Sequence, residues 1–169
     1  TVNPTPQVDQ PANQVLCAGV PTAPVVFTSP TTGGTLVYNW TNNNPSIGLA
    51  ASGAGNIPSF IAVNAGTTPV IATIIVTASY TNAGVTCTGP FKTFTITVNP
   101  VPTVAPVSNK AYCTGATTAL IPFNGTAGNA PGTIYNWTNS NTGIGLAASG
   151  TGDILPFITT NATNGPLVA

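Results

Sequence analysis

The sequence predicts an all-β fold organised as two tandem β-sandwich modules, and three observations lead to this prediction. Short runs of β-branched and aromatic residues alternate with breaks rich in glycine, proline and asparagine. No window carries an apolar stripe of helical period, and 18 glycines and 17 prolines among 169 residues would interrupt most helices. A 24-residue block also occurs twice, which indicates a repeated unit rather than one large core.

The repeat sets the module boundaries. YNWTNNNPSIGLAASGAGNIPSFI begins at Tyr38, and YNWTNSNTGIGLAASGTGDILPFI begins at Tyr135; the two blocks agree at 17 of 24 positions with an offset of 97. Upstream the offset is 96, so Cys17 corresponds to Cys113 and one extra residue falls near 127–132. We predict modules over 1–98 and 99–169, joined by the proline-rich VNPVPTV, a stiff and extended connector.

Six strands are predicted in the first module. The clearest are VIATIIVTASY and PFKTFTITV, with the hairpin turn in the intervening TNAGVTCTG. In the second of these strands, Phe91 and Phe94 are expected on one face with Ile96 and Val98, with a bulge after Phe91. The predicted strands lie near residues 14–18, 23–28, 34–40, 57–63, 70–80 and 90–98.

The second module is expected to be incomplete at its C-terminus. Ala169 aligns with Ala72, so about 25 residues, the counterparts of the last two strands, are missing and an unpaired edge results. Two explanations stay open: the chain is an excerpt of a longer tandem array, or a neighbouring subunit supplies the strands by β-strand addition. The opening TVNPTPQV lacks the segments of a signal peptide, which is expected of a mature product or a fragment.

Charge is almost absent from the chain. Only Asp9, Lys92, Lys110 and Asp153 are charged, 2% of residues against about 25% in ordinary domains. The chain is 42% hydrophobic and should fold, yet no apolar run is long enough for a membrane span. Two lysines cannot form a basic stripe for nucleic acid. Near-zero net charge favours association, so the expected partners are copies of the chain or adjacent repeats.

The residue types exclude most chemistry. The chain has no histidine or glutamate, and Asp9 and Asp153 fall at different positions of the repeat, so we expect no catalytic carboxylate pair. Three cysteines without histidine or a C-x-x-C pair make no zinc site, and one carboxylate per module makes no calcium site. The glycine-rich IGLAASGAG is soon followed by Pro58 and predicts turns rather than a phosphate loop. We therefore expect no enzyme, metal or cofactor.

The order Cys17, Trp40, Cys87 resembles that of immunoglobulin sandwiches. This resemblance implies a Cys17–Cys87 disulfide, whose loop of roughly 70 residues would stabilise the fold by about 4 kcal/mol. Cys113 is expected to be unpaired or completed outside the chain. Because Leu36, Tyr38 and Trp40 alternate, we expect Trp40 and its counterpart Trp137 in the cores; a sugar-stacking platform is the alternative.

The motifs YNWTN, IGLAASGxGxIxxF and TFTITVNPVPTV resemble the PKD-like modules repeated in giant surface proteins of gliding bacteria. The resemblance covers essentially the whole chain. It implies an immunoglobulin-like sandwich, export by the type IX system, and a role in adhesins, stalks or filaments. The chain lacks the WxFGDG-type loop of ordinary PKD domains, so their calcium and polysaccharide functions are not carried over.

These features together predict a secreted, extracellular or cell-surface protein. Three cysteines, Thr/Asn-rich β composition and the absence of Met, His and Glu all favour secretion. The predicted function is a structural repeat of a filament or adhesin, with strand complementation between subunits as one route to a polymer. The alternative is a carbohydrate-binding accessory module of a secreted polysaccharide-degrading enzyme, with surface glycans as partners.

Overall fold

The computed structural model describes residues 2–125 and 133–169, and the chain divides into two compact units, Thr1–Val101 and Pro102–Ala169. We call these unit 1 and unit 2. The division falls three residues after the boundary predicted between residues 98 and 99. The extra residue that the sequence places near 127–132 lies outside the described residues.

Unit 1 contains one mixed five-stranded sheet with the order β1-β5-β4-β2-β3. Strand β1 runs parallel to β5, and every other neighbouring pair is antiparallel. The all-β prediction is confirmed at the level of fold class, since the described residues contain strands and two short 3-10 helices but no α-helix. The strands are β1 (Gln14–Cys17), β2 (Thr35–Asn42), β3 (Ser52–Ala54), β4 (Val70–Asn82) and β5 (Val85–Asn99).

The two longest strands, β4 and β5, form a hairpin. Asn82 pairs with Val85 across a two-residue turn in which Ala83 has φ 51° and Gly84 has φ 75°. Positive φ at both central residues gives a type I′ turn, whose twist matches that of the strands it joins. The turn therefore lies within the segment that the sequence predicted.

The prediction that Phe91 lies on the core face is wrong, because a bulge in β5 lies on the other side of this residue from the one expected. Thr77 of β4 faces Phe91, while Ser79 faces Thr88, so β5 has two residues between these pairs where β4 has one. The bulge precedes Phe91 rather than following it, and Phe91 is 64% exposed instead of lying on the core face. Pro90 occupies the bulge, where its missing N–H costs no ladder hydrogen bond.

One face of the sheet forms the core of unit 1. Side chains alternate across a strand, so every second residue of β4 and of the later half of β5 points inward. Asn42 of β2 is also buried on this face, and its Nδ2 donates to the carbonyl oxygen of Leu49 at 3.1 Å. The buried apolar side chains of the face are Trp40, Ala72, Ile74, Val76, Ala78, Tyr80, Phe94, Ile96 and Val98.

Irregular extended segments cover this face and make the second layer. The segments predicted as strands at 23–28 and 57–63 form no continuous ladder, and strand pairing in this region is limited to isolated bridges between Val25 and Ile57 and between Pro21 and Ile61. The prolines at 21, 24 and 58 lack N–H groups, which prevents a continuous ladder. The layer nevertheless buries its apolar side chains against the sheet: Val8, Val25, Phe27, Ile47, Leu49, Ile57 and Ala62.

Unit 2 contains a two-stranded antiparallel sheet of β6 (Asn136–Thr138) and β7 (Ser149–Thr151). It also contains two isolated bridges, Thr117 to Ile158 and Ile121 to Ile154. In the repeat alignment, the β6–β7 pair corresponds to the β2–β3 pair of unit 1. The two bridges of unit 2 correspond to the two bridges of unit 1.

Within residues 2–125 and 133–169, no helix is both long enough and apolar enough to cross a membrane.

Candidate functional site

The candidate site is the part of unit 2 that corresponds to the covering layer of unit 1 together with strands β2 and β3. It contains residues 104–124 and 135–160, and we call it the open layer. The layer is held together by its own hydrogen bonds. Thr118 Oγ1 accepts from the N–H of Phe157 at 3.1 Å, as Thr22 Oγ1 accepts from the N–H of Phe60 at the same distance in unit 1.

Asparagine side chains give the open layer the same turns as unit 1. Asn139 Nδ2 donates to the carbonyl oxygen of Leu146 at 2.9 Å, and Asn139 Oδ1 accepts from the N–H of Asn141 at 2.9 Å. In unit 1 Asn42 makes both contacts at the counterpart positions. These bonds close the loop that carries IGLAASG, so its residues have a structural role.

Glycines in this loop adopt backbone conformations that other residues disfavour. Gly48 and Gly145 have φ of 97° and 93° and end the short 3-10 helices Pro45–Ile47 and Thr142–Ile144. The loop then enters β3 or β7, and no α-helix begins there. The sequence predicted turns in this segment rather than a phosphate loop. The segment contains the turns that end the two 3-10 helices.

The two layers differ in what covers them. In unit 1 the inner face of β4 and β5 buries Ile57 to 1% exposure. The described part of unit 2 has no strands in the positions of β4 and β5, and there Thr118 is the only buried side chain. Side chains that are buried in unit 1 are half-buried or exposed at their counterparts: Val104, Ile121, Phe123, Trp137, Ile144, Leu146 and Ile154.

A groove lies in the described part of unit 2. Its volume is about 250 Å³, and it lies between residues 105–110 and 120–124. In unit 1 the counterpart of its first wall runs along β5, because Gln10 Nε2 donates to the carbonyl oxygen of Thr93 at 2.7 Å and Asn13 Oδ1 accepts from the N–H of Thr95 at 2.8 Å. Sequence reasoning identified the missing strands but not this wall; the alignment of Asn109 with Asn13 was the available signal.

The predicted Cys17–Cys87 disulfide is wrong. Cys17 lies opposite Asn99 at one end of β5, and Cys87 lies near the other end of the same strand. Twelve residues of strand separate Asn99 from Cys87, roughly 40 Å at about 3.3 Å per residue, whereas a disulfide needs Cα atoms within about 7 Å. Both thiols are free, as is that of Cys113, and all three belong to the described residues.

The tryptophans occupy matching places against glycine. Trp40 is 6% exposed and belongs to the core of unit 1, and its ring lies directly on Gly53 of β3. Trp137 lies in the same way on Gly150 of β7 but is only half-buried, because the described part of unit 2 has no strand beside β6 in the position of β4. Neither indole Nε1 has a hydrogen-bond partner among the described residues.

Both aspartates have structural contacts. Asp9 Oδ2 accepts from Thr28 Oγ1 at 2.6 Å, and Asp153 Oδ1 accepts from the N–H of Phe123 at 2.9 Å. Burial, together with the negative charge of Asp9, raises the pKa of the Tyr38 hydroxyl above its ordinary 10.0, against the opposing effect of a hydrogen bond with Ser29. No cluster of three histidine, cysteine, aspartate or glutamate side chains occurs in the part of the chain that the structure describes.

Comparison with known proteins does not assign the chain to a family. No family model matches the chain, and no curated protein has a similar sequence. The chemistry of the open layer therefore has to be argued from its own residues.

Proposed function

We propose that this chain is a structural repeat of an extracellular filament or cell-surface adhesin, built from PKD-like, immunoglobulin-like sandwich modules. One observation carries the proposal. The two units contain layers with the same hydrogen bonds, but in unit 1 the layer packs against the β4–β5 strands, and in the described part of unit 2 no such strands lie against it. A contiguous apolar face without a cover favours association. Strand complementation between subunits is one way in which such a face becomes covered.

The neutral surface supports the same role. The outer face of the sheet in unit 1 carries threonines instead of charges, and these threonines are exposed or half-buried. Neutral hydroxyls hydrate the surface without the electrostatic repulsion that keeps soluble proteins apart. Repeats of this kind can therefore pack closely in a fibre or matrix. The outward threonines of β4 and β5 include Thr73, Thr77, Thr93, Thr95 and Thr97.

The resemblance to PKD-like modules of gliding bacteria supports secretion by the type IX route and a place at the cell surface. The alternative function, a carbohydrate-binding accessory module, depends on an exposed aromatic platform. Trp40 is 6% exposed and cannot serve as one, and the half-buried Trp137 has one side against Gly150. The structural role has the broader support, because observations in both repeats favour it.

The test is the location and form of the natural protein. Antibodies raised against the 169-residue chain are applied to intact producing cells and followed by immunogold electron microscopy. We expect gold on surface fibres or on an external layer of unpermeabilised cells, and no label on cells that lack the gene. Label confined to the cell interior, or to dispersed globular particles in the medium, would overturn the proposal.

A further inference from the structure

The dipeptide Asn-Gly occurs twice in the sequence, at Asn124–Gly125 and at Asn164–Gly165, and both pairs belong to unit 2. In such a pair the backbone nitrogen of the glycine can attack the side-chain amide carbon of the asparagine, because no Cβ on the glycine crowds the approach. The two reacting atoms belong to adjacent residues, so the reaction is intramolecular and needs no enzyme. Its rate depends on how firmly the backbone of each pair is held.

The first pair is fixed to its neighbours. The carbonyl oxygen of Asn124 accepts from the N–H of Ala105 at 2.6 Å. A Cβ on Gly125 would overlap the carbonyl oxygen of Thr103, so this glycine lies directly against another backbone segment. Ring closure would have to turn the peptide plane between residues 124 and 125, and this rotation would break the hydrogen bond to Ala105.

The second pair is open. Asn164 and Gly165 are exposed, and neither the side chain nor the carbonyl oxygen of Asn164 has a hydrogen bond to another described residue. The N–H of Gly165 donates to Thr163 Oγ1 at 3.4 Å, which is long for a hydrogen bond. Thr67 of unit 1 occupies the position of Asn164 in the repeat and is also exposed, so this exposure is a property of the loop itself.

The loop does not need glycine at position 165. The φ of Gly165 is outside the left-handed region, and apart from its chain neighbours no heavy atom of the described residues lies within 4 Å of a Cβ built there. Unit 1 has Thr68 at this position, and the Thr68 carbonyl oxygen accepts from Asn64 Nδ2 at 2.9 Å. The carbonyl oxygen of Gly165 accepts from Asn161 Nδ2 at the same distance, so the two loops close in the same way. The glycine therefore contributes reactivity rather than a required backbone conformation.

From these contacts we propose that Asn164 is a site of spontaneous deamidation, a modification that goes beyond the structural role of the chain. The Gly165 nitrogen forms a bond to Asn164 Cγ, the Cγ–Nδ2 bond breaks, and ammonia leaves with the proton from the Gly165 nitrogen. Water then opens the resulting succinimide ring at either carbonyl. One opening gives aspartate, and the other gives isoaspartate, in which the main chain runs through the side-chain carbon.

The modification changes both the charge of the chain and the geometry of the loop. Each product has a carboxylate where an amide stood, so a chain of net charge zero gains one negative charge. Isoaspartate also lengthens the main chain by one atom between Thr163 and Gly165, whose hydroxyl and carbonyl oxygen are joined by a hydrogen bond of 2.9 Å. We expect that hydrogen bond to be displaced. The added charge acts against association of nearly neutral repeats.

The test is incubation of the full chain in warm, mildly alkaline buffer, followed by peptide mass spectrometry. Chymotrypsin cleaves after aromatic residues, so cleavage after Tyr135 and Phe157 separates the two Asn-Gly pairs. We expect the mass change of deamidation to accumulate about fivefold or more faster at Asn164 than at Asn124, because the held pair must first break a hydrogen bond. In urea the two rates should converge, since the dipeptides are the same.

The matched control is Gly165→Ala, whose methyl group has open space in the loop but crowds the attacking nitrogen. This variant should keep the circular dichroism of the parent chain and deamidate several-fold more slowly at Asn164. Equal rates at Asn124 and Asn164 in the folded chain, or an unchanged rate in Gly165→Ala, would overturn the proposal. So would a product that contains aspartate but no isoaspartate, because direct hydrolysis passes through no ring. These outcomes do not depend on cellular location, so either proposal can fail alone.

Discussion

Val8 and Val104 hold the same position in the two copies of the repeat, yet 3% of Val8 is exposed against 62% of Val104. The local sequence around the two residues is not the cause, because both belong to layers with the same hydrogen bonds. Burial of Val8 depends on the sheet that covers its layer, and the described part of unit 2 has no such cover. Substitutions at matched positions should therefore have unequal effects.

Ile57 and Ile154 provide a matched test of this difference. Ile57 is 1% exposed, so Ile57→Ala should leave a cavity and destabilise unit 1 by about 2 to 5 kcal/mol. Ile154 is half-buried, and Ile154→Ala should cost about 1 kcal/mol or less, because less apolar area returns to water. Urea unfolding followed by circular dichroism measures both losses. Equal losses would contradict the burial that distinguishes the two units.

Gly53 should not tolerate a side chain, because its added Cβ would overlap the indole ring of Trp40. Gly53→Ala should destabilise unit 1 by about 1 to 3 kcal/mol, the usual cost of overpacking. The neighbouring Ser52 is exposed and serves as the control, since Ser52→Ala should change stability by less than about 0.5 kcal/mol. Thermal unfolding of both variants is the measurement, and a neutral Gly53→Ala would show that β3 is displaced from Trp40.

Ala83 occupies a position in the hairpin turn that favours asparagine. Its φ of 51° lies in the left-handed region, which costs a residue with an ordinary Cβ roughly 1 kcal/mol. Ala83→Asn should raise the free energy of unfolding by about 0.5 to 1 kcal/mol, because Asn-Gly is the preferred type I′ pair. The opposite sign is expected for Gly84→Ala at φ 75°. A loss of stability in Ala83→Asn would argue against this turn.

Tyr38 should make unit 1 sensitive to alkali. Burial and Asp9 raise its pKa in the folded chain, so the folded state holds the hydroxyl proton more tightly than the unfolded state does. The resulting contribution to the free energy of unfolding is fully present below the Tyr pKa of the unfolded state, about 10, and is lost as pH rises through the pKa of the folded state. Tyr38→Phe should reduce the decline in stability above pH 10, and Asp9→Asn should lower the Tyr38 pKa measured by ultraviolet titration. A tyrosinate titration unchanged by Asp9→Asn would contradict the assignment.

The cysteines should not stabilise the fold through a disulfide bond. Cys17 and Cys87 are held near opposite ends of β5, so reductant should leave the urea midpoint of the chain unchanged. Thiol titration of the unfolded, unreduced chain should find all three cysteines reactive. An intact mass lower by two hydrogen atoms, with peptide mapping to Cys17 and Cys87, would refute this strand pairing.

Much of unit 1 followed from local pattern. Alternating apolar residues in β4 and in the later half of β5 predicted both strands, and the alternation of Leu36, Tyr38 and Trp40 predicted the inner face of β2. Pattern failed where backbone geometry intervened. The bulge around Pro90 turned Phe91 outward, and prolines reduced two predicted strands to isolated bridges. Strand β3 was missed because SGA has no apolar alternation; its place follows from the close approach of Gly53 to Trp40.

By itself the sequence determined the all-β class, the duplication, the near absence of charge and the apolar positions, because these depend on residue type and spacing along the chain. Only the tertiary structure decided that Cys17 and Cys87 lie far apart, because distance between strand ends depends on pairing order and not on sequence separation. It also decided which copy of each apolar residue is buried. Burial requires a second surface, and the same residues in the open layer remain accessible where no sheet lies against them.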